Sequence, residues 1–125
     1  MVKKGFPSVH FYDQDFVDLY EKTWAWLQDS WKSGNSKNGF PRVYFNYPKN
    51  NTVNQFESIL ATFFLVYSNN QFPASPSLDL FYSKQEENGA IRCAYSVNSG
   101  KPVTTAENPE GIEPPLFSWA EYNLY

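Results

Sequence analysis

A mainly α-helical fold, with a short β-hairpin-like excursion near residues 90–105, is what the sequence predicts, and three features carry that expectation. Between Phe16 and Trp31, bulky apolar residues recur at three- and four-residue steps, the period of one face of a helix. Ile59 to Tyr67 is apolar with only Thr62 interrupting, so it reads as a helix without a polar side. Pro114 and Pro115 stand where a last helix would open, because proline suits the first helical turn.

Taken in order, the first helix is expected from Asp13 or Asp15 to about Lys32. Phe16, Tyr20, Trp24, Leu27 and Trp31 form its apolar stripe, while Asp18, Glu21, Lys22 and Gln28 mark a wet face. Asp13 can cap the start, and Gly34 with Asn35 signals the stop. A Gly-, Asn- and Pro-rich segment follows, around a β-prone stretch from Arg42 to Tyr47. The second helix starts near Asn54 and ends between Tyr67 and Asn69, and the third runs from Pro76 or Ser77 to Gln85 with Leu78, Phe81 and Tyr82 buried. Turns are expected at Asn88-Gly89 and Ser99-Gly100, with a strand from Ala90 to Ser96 between them. The fourth helix buries Leu116, Phe117, Trp119, Ala120 and Tyr122, and its signal is still running at Tyr125.

Composition limits the function classes. The chain has 125 residues, a normal single-domain length, and 42% of them are apolar. Its aromatic share of 19% is high, and such rings serve either a core or a wall that stacks on sugars. A net charge of −3 argues against nucleic acid, whose binders carry a basic stripe; Lys3 and Lys4 are the only basic pair. One cysteine, Cys93, allows no internal disulfide, and one histidine, His10, allows neither a zinc-protease helix nor a convincing Ser–His pair. No metal or cofactor is implied, no apolar leader opens the chain, and no stretch is long enough to span a membrane. A cytoplasmic location is the default expectation.

A helix apolar on every side needs covering on every side. Each large apolar side chain left in water forgoes about 1.5–3 kcal/mol, against a typical total stability of about 5–15 kcal/mol. Four helices offer little cover for two such helices. The chain is therefore expected to be the N-terminal portion of a larger protein, or else to self-associate through these helices.

Three segments in order, "VNQFESILATFF", "FPASPSLDLFYSKQEENGAIRC" and "ENPEGIEPPLFSWAEYNLY", together resemble the N-terminal part of the (α/α)6-barrel glycoside hydrolases related to mannosylglycerate hydrolase, trehalase and processing α-glucosidase. The resemblance covers about residues 40–125, and "GFPSVHF" fits the start of the family's domain. It implies a partial (α/α)6 toroid of helical hairpins, one unit over 1–125, and a carbohydrate or sugar-conjugate ligand. The family's aromatic-Asp pair becomes Phe56 and Glu57, its Gln after Lys becomes Gln85, its Arg after the glycine turn becomes Arg92, and its "WAEW" helix places Trp119. Tyr122 stands where that helix has a second Trp. The glutamate at 57 is one methylene longer than the family's aspartate, a departure that bears on which substrate is held. The family inverts, with both catalytic acids on later helices, so no catalytic residue is implied here.

Read as residues alone, each site candidate has a structural alternative. Asn54-x-x-Glu57 is a capping box, with Thr52-x-x-Gln55 as a competing register. Phe56 and Trp119 suit a core as well as a pocket wall, and Gln85 suits a helix end. Arg92 suits a surface strand, or a donor to sugar hydroxyls or a ligand carboxylate. Cys93 reads as a small buried residue.

Overall fold

The computed structural model describes residues 6–47, 50–68 and 71–125; Lys3, Lys4 and Asn69 fall outside that set. Four helices and two small antiparallel strand pairs make up the regular structure of the described residues, a mainly α fold.

Helix α1 spans Gln14–Gln28, and Asp13 caps it by accepting a hydrogen bond from the Asp15 amide at 3.0 Å. The helix ends four residues before the expected Lys32. Its last carbonyls are taken by the amides of Asp29 and Ser30, after which Trp31 enters strand β1, Trp31–Lys32. There Trp31 pairs with Phe45 of β2, Tyr44–Phe45, and sets its ring edge-on to Phe45 at 5.8 Å. An apolar residue at helical spacing is satisfied equally well by a strand that feeds the same core, and here the strand has it. Trp24 and Leu27 are buried as expected, whereas Phe16 is 57% exposed.

Strand β3, Thr52–Asn54, runs directly into helix α2, Gln55–Leu65, which tightens into a 3-10 turn at Val66–Ser68. Asn54 occupies the cap position, but its side chain makes no capping hydrogen bond, so the expected capping box does not form. The backbone does that work: the Gln55 amide donates to the Cys93 carbonyl at 2.7 Å. Ile59, Ala61 and Leu65 are buried together with Ser58 and Thr62, while Phe56, Leu60, Val66 and Tyr67 are exposed. The helix expected to be enclosed all round is covered on one side.

Helix α3, Ser75–Tyr82, carries Pro76 in its first turn and sinks Leu78, Leu80 and Phe81 completely. Beyond it the expected strand from Ala90 shrinks to β4, Ala94–Ser96, because Ala90 and Cys93 spend their backbone groups on Glu86 and Gly111. β4 pairs with β3 in the register Thr52↔Ser96, Val53↔Tyr95, Asn54↔Ala94. Its other edge folds back through the turn at Gly100 (φ +67°), with Tyr95 opposite Pro102, which is the hairpin-like excursion. Helix α4, Phe117–Leu124, packs on α2; Phe117 and Ala120 are buried, but Trp119 and Tyr122 are exposed, contrary to expectation.

Two apolar clusters result. One gathers Tyr44, Val53, Ile59, Leu78, Phe81, Tyr95 and Phe117; the other gathers Trp24, Leu27, Phe45, Ala61 and Leu65. Helix α2 belongs to both.

Candidate functional site

The N-terminal end of α2 meets the Gly111–Leu116 segment and Cys93, and two clefts open there. The first, of about 410 Å³, is lined by Asn54, Gln55, Phe56, Glu57 and Ile59 on one side and by Cys93, Glu113, Pro114 and Leu116 on the other. The second, of about 440 Å³, lies against the end of α3, with Tyr82, Gln85, Ile91, Ile112 and Phe117 in its wall. Gln55 and Glu113 line both clefts, so the two adjoin. Both volumes fall in the range of small-ligand pockets, about 300–1,000 Å³.

Glycine geometry and asparagine bonding hold the far wall in place. Gly111 adopts φ +61°, and Asn108 accepts from the amide of Ile112 and donates to its carbonyl. The loop turns back beneath α2 and delivers Glu113 opposite Glu57.

Electrostatics follow from that opposition. Partial burial, and then the negative charge of Glu57, raise the Glu113 carboxyl above the usual carboxylate range. Burial also pushes the Cys93 thiol up, and the charges of Glu113 and Glu57 add to the effect. A thiol held protonated in this way is a poor nucleophile.

The raised Glu113 makes a pH prediction. Its folded-state pKa exceeds its unfolded value, so the folded state holds its proton more tightly. Its contribution is favourable below the unfolded value, near pH 4.3, and turns unfavourable as pH rises through the folded one. Glu113→Gln is therefore expected to raise the melting temperature at about pH 7 and to leave it nearly unchanged at about pH 3. Thermal melts across that range test this; a gain that is the same at both ends would deny the charge any part.

The site residues expected from sequence are distributed unequally. Phe56, 47% exposed, and Glu57 share the first cleft. Gln85 lines the second, where its Nε2 donates to the Gly89 carbonyl at 3.0 Å. Arg92 lines neither cleft. Its guanidinium forms a two-pronged pair with Glu86, Nε and Nη2 each 2.7 Å from a carboxylate oxygen, and its Nη1 donates to the Glu110 carbonyl. That pairing lowers the Glu86 pKa. Trp119, 54% exposed, packs its ring on Phe63 at 4.4 Å, away from both clefts.

Gln55 and Glu113 are the residues that sequence reading missed. Gln55 sat beside the more conspicuous Phe56-Glu57 pair, and Glu113 lay in a stretch read as plain loop. The proline pair after Glu113, which fixes the direction of the chain into α4, was the available signal.

Among the described residues, no cluster of three or more His, Cys, Asp or Glu side chains is placed to hold a metal ion. No helix of the described residues is long and apolar enough to cross a membrane.

Comparison with known proteins adds one similarity. The chain is 40% identical over 126 residues to an uncharacterized protein of Borreliella burgdorferi, and the match takes in all of this chain. The chain spans 26% of the length of that relative. No family model matches the sequence, and no solved structure matches it.

Proposed function

We propose that this chain forms part of the sugar-binding wall of an (α/α)-barrel glycosidase of the inverting, trehalase-like kind and carries no catalytic acid pair of its own. The observation that supports this most is that Phe56 and Glu57, two residues singled out by the resemblance, line one cleft and that Gln85 lines its neighbour. An exposed aromatic face offers a sugar the apolar surface its C–H groups stack on, and a carboxylate beside it accepts from hydroxyls. Inverting hydrolysis needs a proton donor and a second carboxylate about 6.5–9.5 Å apart on either side of the scissile bond. The resemblance puts those on later helices. The exposed row of Leu60 on α2, Tyr67 in the 3-10 turn that follows it, and Trp119 and Tyr122 on α4 is then where further helices of the barrel would pack.

A second reading, a stand-alone helical binding domain that self-associates, takes the same exposed row as its interface. Titrating the chain with trehalose, methyl α-mannoside and methyl α-glucoside while recording amide and aromatic NMR shifts separates the two. Shifts at Phe56 and Glu57 that saturate with sugar are expected, with no hydrolysis product. Shifts that track protein concentration and ignore sugar would favour the second reading, and robust turnover would defeat the first.

A further inference from the structure

Gln55 is the side chain at which the two clefts meet, and it is 2% exposed. Its Nε2 reaches the Pro114 carbonyl at 3.5 Å, the outer limit of a hydrogen bond, and its buried Oε1 accepts none from any described residue. Buried polar atoms left without a partner are costly, and of the five such side-chain atoms among the described residues Gln55 Oε1 is the one that belongs to a cleft wall. Glu113 stands at the same junction, and Glu57 faces the first cleft beside it. Among the described residues no lysine or arginine lines either cleft, and the guanidinium of Arg92 is committed to Glu86 and Glu110.

We infer that Gln55 and Glu113 form a polar partition that reads the hydroxyl donors of one uncharged glycoside reaching into both clefts, and that the paired glutamates turn sugar acids away. The inference rests on the sugar-binding reading above and narrows it. Gln55 Oε1 and the Glu113 carboxyl both accept, and a hydroxyl-rich ligand supplies donors to both. The ring nearer α2 lies against Phe56, and the other half of the ligand lies against Ile91, Ile112 and Phe117. A ligand carboxylate at the same place would add a third negative charge to a partly desolvated pair that no cation among the described lining residues offsets.

Calorimetric and NMR titrations of the full chain with trehalose, methyl α-glucoside and glucuronate test this, using the wild type, Gln55→Leu and Glu113→Gln. Trehalose is expected to shift resonances in both clefts, at Phe56 and at Ile91, and methyl α-glucoside in one. Gln55→Leu is expected to weaken trehalose binding by about tenfold, the worth of one buried hydrogen bond, with an unchanged or higher melting temperature. Glu113→Gln keeps the acceptor and removes the charge, so it should hold trehalose and admit glucuronate. Unchanged trehalose affinity in Gln55→Leu, or glucuronate bound by the wild type as tightly as trehalose, overturns the partition while leaving sugar binding intact. If no sugar perturbs the wild type at all, the broader reading falls with it. Should Gln55→Leu fail to fold, Glu113→Gln and the ligand series decide the matter alone.

Discussion

Replacing Phe81 with alanine is expected to lower the unfolding free energy by about 3–5 kcal/mol, measured as a shift in the urea midpoint at constant slope. Phe81 is fully buried on α3, with its ring 5.9 Å from Tyr95 of β4 and 6.1 Å from Phe117 of α4. The ring thus joins three elements that are far apart in sequence. Removing it leaves a void that Leu78 and Leu80, themselves fully buried, are not free to fill. Set against a typical total of about 5–15 kcal/mol, the loss takes much of the molecule's stability. A cost below about 1 kcal/mol would mean that the core is not packed as described.

The second large effect is expected at Gly100. Its φ of +67° is left-handed backbone, which a side chain adopts only with strain, and a Cβ there would lie 2.0 Å from the Asn38 carbonyl oxygen. That oxygen belongs to a turn already fixed on all sides. Asn38 Oδ1 accepts from the amides of Asn35 and Phe40, its Nδ2 donates to the Val97 carbonyl, and Lys84 Nζ donates to its backbone oxygen at 2.8 Å. Gly100→Ala therefore has no inexpensive way to relax. Backbone strain alone costs about 1–3 kcal/mol, and displacement of the Asn38 turn adds to it. A melting temperature lowered by several degrees is the expected readout, with the Asn35–Phe40 amides losing exchange protection first. A neutral substitution would show that the hairpin and the turn are free to part.

How much of this could be read in the sequence varies by element. The start of helix α1 with its Asp13 cap and the turns at Gly89 and Gly100 follow from local chemistry, so the sequence reveals them, whereas α4 opens at Phe117, past the proline pair expected in its first turn. Trp31 marks one boundary of that legibility: periodicity records that a side chain wants burial, not which backbone delivers it. Trp119 and Tyr122 mark another, since an apolar residue at helical spacing is expected to be buried only when the rest of the chain provides something to bury it. At the site, the Phe56-Glu57 pair stands at the mouth of an apolar run and matches the aromatic-Asp pair of the resembling family, while Gln55 and Glu113 come together only through the pairing of β3 with β4 and the fold of the 108–116 loop. Long-range placement of that kind leaves no local mark. Arg92 reads in the sequence as a surface strand position or a ligand donor, and its commitment to Glu86 depends on the Asn88-Gly89 turn that brings the two side by side.

Strand β3 passes into helix α2 with no residue between them, Asn54 ending one and Gln55 beginning the other. Successive side chains of a strand point to opposite faces, so a one-residue slip of Thr52 against Ser96 would turn β3 over and with it the start of the helix. Phe56 and Glu57 would then look elsewhere. The three rungs joining β3 to β4 act as an angular detent for the helix that follows, and whatever grips or loosens that short ladder decides which side chains the cleft presents.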